Sequence, residues 1–414
     1  MIGSLNSMSP IAVLDIGTTK TCALVGEVTE AGTWRILGNG VVPSRGLRKG
    51  MVTDVKEAAV AIAGAVQQAE RVSGVPIEAA YVGIAGAHIQ ATNSRGIAAI
   101  HSRGVTQEDI DRALESAQAL AVPLNREILH VIPRGFILDG QDGIQDPRGM
   151  VGFRLEVEAH VVTGATASIQ NMTRAVEAAG IRVIDLILEP LAASEAVLTT
   201  AEREMGVVLV DLGGGTTDIA ILTEGSISHT VILPTGGIHI TNDLAVGLRT
   251  PFEVAEEIKL KYGHVDPDQV FDVDLIDVAA FGEEGRRLIT RRQIAEIIHP
   301  RAAEICQLIL TEIQRAGYDR LLPAGVVLCG GTAELPGLKW LARQILDMPV
   351  RVGVPRDLEG FADRVSSAAF AASIGLLQWG WRHHQQNDTP PRRRRKAGAL
   401  SGLMGWVRGA ILPG

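Results

Sequence analysis

The sequence is poor in the features that would place it outside a reducing, aqueous compartment. Cysteine occurs three times in 414 residues, at Cys22, Cys306 and Cys329, with no spacing that suits a metal. All three lie in apolar runs, so buried, reduced thiols are expected rather than disulfides. Long hydrophobic runs are missing too, since no uninterrupted stretch approaches the roughly 20 residues that span a bilayer. Residues 1–10, MIGSLNSMSP, have neither the basic start nor the apolar centre of a signal peptide. Positive charge is short overall. The net charge of −8 at pH 7 argues against general nucleic-acid binding and confines any basic surface to a local patch. What is there, 46% hydrophobic and 21% charged residues, describes a soluble globular protein with room for two to four compact units.

The most informative stretch is Val207–Ile221, VVLVDLGGGTTDIAI. A β-branched and aliphatic run ends at Asp211, a turn follows over Gly213, Gly214, Gly215, Thr216 and Thr217, and Asp218 opens a second apolar run. That pattern predicts a β-hairpin. Its successive backbone N–H groups make a concave anion site, to which the threonine hydroxyls add donors. Asp211, at the strand end, is placed to hold a hydrated divalent cation beside the anion. A second copy lies at Val13–Val25, VLDIGTTKTCALV, with Asp15 matching Asp211 and Gly17 matching Gly213. Two such hairpins half a chain apart predict a duplicated fold that clasps one phosphate chain from both sides.

In chain order, a third strand is expected at Trp34–Val42. A helix over Lys56–Val72 follows, with Val60, Ala63, Val66 and Ala69 marking its faces, and then a buried strand, Ala79–Ile84. The texture changes between Gly86 and Val162, where a helix over Gln107–Leu120 capped by Thr106 sits among strands at Ile128–Ile137 and Phe153–Val162. The loop Leu138–Gly152 is expected to be exposed. Helices are expected at Ser168–Ala179, after Glu189-Pro190, at Ile238–Val246 and at Pro251–Tyr262. The apolar face of Thr290–Ala316 predicts a long helix that Pro300 kinks or divides. Val326–Leu338 reads as a strand, a Gly330-Gly331 turn that lets backbone approach a flat ligand, and a helix start at which Thr332 supplies a donor. Past Trp379 the globular pattern is expected to stop.

Two D-x-G hairpins, E-P-L-A-A-S at 189–194 and the late C-G-G-T turn, in this order, resemble the ATP site of the actin, Hsp70 and sugar-kinase superfamily. With AEEIK at 255–259, a unit inserted in the first half and a basic, amphipathic tail, the whole chain resembles the FtsA family of actin-like bacterial division proteins. The resemblance implies an α/β fold, a duplicated ribonuclease H-like ATPase. Residues 10–85 and 163–205 would form its first subdomain, joined by the helix 365–379, and 86–162 the inserted α+β unit. Residues 206–245 with 322–364, and then 246–321, would form the second half. A basic linker at 380–397 and a membrane-targeting helix at 398–414 would follow.

Carried over, the resemblance implies ATP and Mg²⁺ as cofactors. Gly17, Thr18, Thr19 and Lys20 would meet the phosphates from one side and Gly213–Thr217 from the other. Asp15 and Asp211 would hold Mg²⁺ through water, and Glu189 would orient attacking water or the metal. Glu256 and Lys259, three apart on a helix and so on one face, would contact ribose and adenine, with Gly330, Gly331 and Thr332 against the adenosine. Any ATPase activity would be slow.

The tail places Leu400, Leu403, Met404, Val407 and Ile411 on one helical face, with Trp406 beside it. At ~1.5 Å per residue the segment is too short to span a membrane and suits lying in the interface. Arg392, Arg393, Arg394, Arg395 and Lys396 would be drawn to anionic lipid. Arginines also gather near the long second-half helix, and Arg291, Arg292 and Arg301 suit carboxylate recognition. The resemblance makes them candidates for the acidic C-terminal peptide of FtsZ. It also implies self-association into filaments, recruitment of later division proteins, no nucleic acid, and a place on the cytoplasmic side of the inner membrane at the division site. The alternatives are a small-molecule kinase of the superfamily, which needs a catalytic Asp and a polar substrate pocket, or another actin-like scaffold such as a pilus-assembly protein.

Overall fold

Five strands repeat in the same order in two sheets. The computed structural model describes residues 10–119, 122–271, 275–279, 281, 286–319 and 321–387. In the first sheet Ile11–Ile16 lies between its antiparallel hairpin partner Lys20–Val28 and the parallel strand Ala79–Ile84, with Trp34–Pro43 and Arg182–Leu188 outside them. In the second sheet Val207–Leu212 lies between Thr217–Thr223 and the parallel strand Val326–Cys329, with Ser226–Leu233 and Val350–Val352 outside. The two hairpin turns close identically, with Gly17 N donating to Lys20 O and Gly213 N to Thr216 O, both at 3.0 Å. The duplicated α/β fold expected from the two motifs is therefore present strand for strand. Leu358–Gly360 crosses back to extend the first sheet.

Helices cover the sheets for local reasons. Asp54 caps Val55–Ser73 by accepting from the Lys56 and Glu57 amides, and Gly74 ends it at φ 69°. Its small residues Ala58, Ala61, Ala65 and Ala69 face the sheet, which lets the helix lie very close. A Cβ on Gly40 of the neighbouring strand would stand 1.9 Å from Ala65 O, so only glycine fits there. Val60, expected to mark a face, is instead 65% exposed, and Ile62 takes the buried position.

The segment after Gly86 has a four-stranded antiparallel sheet of its own, ordered Gln90–Ala99, Arg154–Ala165, Arg126–Leu138, Gln141–Ile144, backed by the helix Gln107–Gln118. Thr106 and Asp109 form the capping box of that helix. This unit also touches the second half of the chain. His160 pairs through Nδ1 with Asn93 Oδ1 at 2.7 Å and through Nε2 with Thr230 Oγ1 at 2.9 Å, Asn93 Nδ2 donates to Ser228 O at 3.3 Å, and Arg134 reaches the Tyr318 hydroxyl at 3.4 Å. Burial of His160 holds its pKa down to about 3, so the ring is neutral there.

Of the two outcomes expected at Pro300, a kink or a division, division is excluded, since the helix runs unbroken over 25 residues from Arg291 to Arg315. Pro300 is on the exposed side, where the carbonyl left free by its missing N–H can take water. The last described helix does not stop near Trp379 but runs from Ala371 to Asn387. Trp381 packs edge-on against Trp34 and Arg382 pairs with Glu195, so residues assigned to the linker are part of the fold. The basic run Arg392–Lys396 and the amphipathic residues Leu400, Leu403, Met404, Trp406, Val407 and Ile411 lie outside the described residues. No helix among the described residues is long and apolar enough to cross a membrane.

Candidate functional site

The two hairpin turns face one another across a cleft of about 470 Å³. Asp15, Gly17, Thr18, Thr19 and Lys20 line one wall, and Asp211 with Gly213–Thr216 the other. The turns are so close that a Cβ on Gly214 would stand 2.4 Å from Thr19 Cγ2, and one on Gly215 2.5 Å from Thr18 Oγ1. The second turn is held from behind by the start of the helix Gly237–Leu248. Gly237 N donates to Gly213 O at 3.0 Å and Ile238 N to Gly214 O at 2.8 Å. Those bonds engage the turn's carbonyls from that side. Thr332 Oγ1 donates to Gly213 O at 2.9 Å, which ties the third motif to the same turn. Gly330, at φ 83°, leads into it, and a Cβ there would lie 2.3 Å from Asp211 Oδ1.

Glu256 and Lys259 also line the cleft, and they are not a solvent-exposed pair. Lys259 Nζ reaches Glu256 Oε2 at 2.7 Å, Thr241 Oγ1 at 2.9 Å and Gly237 O at 3.3 Å, with its side chain 11% exposed. The Thr241 hydroxyl donates to the same Glu256 oxygen. This end is therefore a fixed donor-acceptor set beside the backbone of Gly330 and Gly331.

Another part of the cleft is crowded with acid. Asp15, Glu189, Asp211 and Asp218 share it, and Lys20 reaches in among them. Burial, with the Asp15 charge adding to it, pushes the Asp211 carboxyl up to about 7. Burial and the neighbouring carboxylates Asp15, Asp218 and Asp211 also raise Glu189, and burial with Asp211 raises Asp218. Asp218 Oδ1 has no hydrogen-bond partner. Among the described residues no three His, Cys, Asp or Glu side chains converge closely enough to ligate a metal directly. A hydrated cation suits that spacing, and it would relieve the repulsion that raises these carboxyls.

Of the residues singled out by the two D-x-G motifs and the late Gly-Gly turn, only Thr217 falls outside the cleft. It is fully buried, and its hydroxyl donates to Thr235 O at 2.8 Å. The three arginines are each engaged by neighbours. Arg301 is bound to Asp243 at 2.7 and 3.2 Å and to Glu304, Arg292 pairs with Asp268 at 2.9 Å, and Arg291 donates to Tyr262 O at 3.0 Å. Sequence reasoning missed Asp218 as a cleft acid, although it closes the D-x-G-G-G-T-T-D run. It also missed Gly236 and Gly237, whose signal was a Gly-Gly pair just before a helix.

Comparison with known proteins gives the family and the fold. The family model for cell division protein FtsA matches residues 208–375, and that for the SHS2 domain inserted in FtsA matches 86–163. A cell division protein FtsA of Pseudomonas aeruginosa is 42% identical over 99% of this chain and 100% of its own. Those of Bacillus subtilis and Escherichia coli are 38% and 36% identical, over 92% and 90% of this chain and 85% and 90% of theirs. Among solved structures, one from the PilM-PilN type IV pilus biogenesis complex superposes with a TM-score of 0.67 at 16% identity, covering 89% of this chain and 98% of that one. MreB5 of Spiroplasma citri bound to ADP gives 0.53 at 15% identity, covering 92% and 98%. The pilus and MreB likenesses show the actin-like fold alone. Identity of 36–42% over nearly the whole length decides between the alternatives: the chain belongs to the FtsA family of actin-like cell division proteins.

Proposed function

We propose that the cleft binds ATP with Mg²⁺ and that the chain works as a nucleotide-dependent adaptor between FtsZ and the membrane. The observation that carries the nucleotide reading is the meeting of three separated motifs on one cleft, together with clustered carboxylates and the fixed Glu256–Lys259–Thr241 set. The amides of the two turns and the Lys20 ammonium would hold the phosphates, while Glu256 and Lys259 would meet the nucleoside beside Gly330 and Gly331. Mg²⁺, when bound, supplies charge neutralisation at the phosphates. Asp15 and Asp211 would hold its waters, and Glu189 would orient a water toward the terminal phosphate.

The adaptor reading adds the tail. Residues 398–414 would lie in the headgroup region on the cytoplasmic face of the inner membrane at the division site, with Arg392–Lys396 on anionic lipid. Copies would assemble into actin-like filaments, and the inserted unit would recruit later division proteins. Arg291 and Arg292, at the start of the helix Arg291–Arg315, would receive the acidic C-terminal peptide of FtsZ. Arg301 is a poorer first choice for testing, because reversing its charge also breaks its pair with Asp243.

Sedimentation with anionic liposomes in ATP tests this. The full chain is expected to sediment and to carry purified FtsZ down with it, whereas a chain ending at Pro391 leaves both in solution. Arg291→Glu should still sediment but lose FtsZ. Equal sedimentation of the full and shortened chains would remove the tail from the proposal.

A further inference from the structure

The helix Ala371–Asn387 starts at the acidic end of the cleft, and its first turn is wired to the hairpin there. Lys20 Nζ donates to Ala369 O and stands 3.7 Å from the centre of the Phe370 ring. Gly330 N donates to Ala368 O at 2.8 Å, and Ala369 N to Glu334 Oε1 at 3.3 Å. Ser373 is fully buried, and its hydroxyl donates to Asp15 Oδ2. A serine in a helix can donate to the carbonyl four residues earlier. For Ser373 that carbonyl belongs to Ala369, in the 3-10 turn before the helix, and Lys20 has taken it. The Ser373 hydroxyl is on the Asp15 carboxylate instead, with the Cys22 thiol as its other neighbour.

We infer that Ser373 is a positioning residue whose hydrogen bond passes from Asp15 to the Ala369 carbonyl when Lys20 leaves that carbonyl for a phosphate. The start of the helix Ala371–Asn387 then registers whether the cleft is filled. This rests on the ATP·Mg²⁺ reading of the cleft and adds its regulation. With the cleft empty, the buried Asp15 carboxylate needs a donor, and Ser373 is that donor. With a phosphate present, the ammonium exchanges a neutral carbonyl and an aromatic face for an anion. The exposed need is then at Ala369 O, which a rotation about the Ser373 side-chain bond satisfies. Asp15 keeps both oxygens for the waters of a cation. No bond is made or broken beyond hydrogen bonds. The same helix continues to Asn387, so the exchange happens at the base of the segment leading to the C-terminal tail.

The test is a Mg²⁺ titration of the full chain at fixed ribose-labelled fluorescent ATP, for the unaltered protein, Ser373→Ala and Ser373→Thr. Removing the hydroxyl costs the empty state a hydrogen bond to a charged group and the filled state only one to a neutral carbonyl, and the first is about twice as strong. Ser373→Ala should therefore reach half-saturation at about fivefold lower Mg²⁺, with Ser373→Thr unchanged from the parent. A serine that merely supported the fold would lower the melting temperature of Ser373→Ala without moving that midpoint downward. An unchanged midpoint, or one at higher Mg²⁺, overturns the exchange, the second showing that Ser373 holds Asp15 in the filled state as well. Backbone hydrogen exchange over residues 368–376 should change on adding ATP and Mg²⁺ to the parent, and an unchanged pattern there also overturns it. If the unaltered protein takes up no labelled ATP at any Mg²⁺ concentration, the reading of the cleft falls and this inference falls with it.

Discussion

Replacing Asp211 with asparagine should raise the melting temperature of the nucleotide-free protein by several degrees at pH 8 and abolish its Mg²⁺-dependent binding of ATP. The two effects have one cause. Asp211 is 8% exposed, and burial with the nearby Asp15 charge lifts its carboxyl from 3.8 to about 7. That displacement corresponds to about 4 kcal/mol of penalty on the ionised form. Its sign fixes the pH dependence. Between about pH 4 and pH 7 the folded protein holds a proton that the unfolded chain has released, so stability falls as pH rises through that window. Glu189 and Asp218, raised by the same burial and crowding, push in the same direction. Buried His160 and His88, held down to about 3 and about 4, push the other way, so the Asp211 share is read as a difference: from pH 5 to pH 8 the melting temperature of the empty protein should fall more, or rise less, in the parent than in Asp211→Asn. Added Mg²⁺ and ATP should restore the parent at pH 8 but not the variant. An identical pH dependence in the parent and Asp211→Asn would contradict the picture of mutually repelling acids.

Gly215→Val should cost about 100-fold in ATP affinity while leaving a folded protein. A Cβ at Gly215 would meet Thr18 Oγ1 at 2.5 Å and Thr18 Cβ at 2.8 Å. Thr18 is itself held, since its Oγ1 accepts from Gly50 N at 3.0 Å. The added side chain must push the two turns apart, which would misalign the amides proposed to hold a phosphate. Losing two charge-assisted hydrogen bonds amounts to about 3 kcal/mol, or roughly two orders of magnitude in affinity. Gly64→Ala is the matched control, because the nearest atom to a Cβ there is Val42 Cγ1 at 3.7 Å, an ordinary contact. Isothermal titration with ATP and Mg²⁺ reads both, and equal affinities would detach the hairpin turns from the phosphates.

The duplicated hairpins were legible because their signal is local. Asp-x-Gly between two apolar runs needs no distant partner to be recognised, and both turns close with the same hydrogen bond. The strand Gln90–Ala99 was not legible, for the opposite reason. Its sequence QATNSRGIAA has little apolar alternation, and a ten-residue ladder with Arg154–Ala165 holds it in place. The helix continues through Pro300 because the proline is on its exposed side, which the spacing alone did not show. The cleft's Thr217 was included because it belongs to the Gly-Thr run, yet the period-2 alternation of a strand turns it away from Thr216. The arginines share a charge and a helix, but the pairing of Arg301 with Asp243 and of Arg292 with Asp268 depends on tertiary neighbours that spacing does not reveal. Ser373 lies 358 residues from Asp15, and nothing local marks that contact.

The inserted unit's grip on the second half bears on how the molecule can move. The two halves share the core behind the cleft, where Glu189–Val197 packs against strands of both, and they meet again where His160 and Asn93 hold the strand Ser226–Leu233. Each added contact removes directions of tilt, and turning about the line that joins the contacts is the motion it opposes least. A filled cleft would thus express itself as torsion between the halves rather than as a jaw opening. In a row of identical copies, such torsion adds from one subunit to the next, so the quantity that nucleotide would set is the helical pitch of the row.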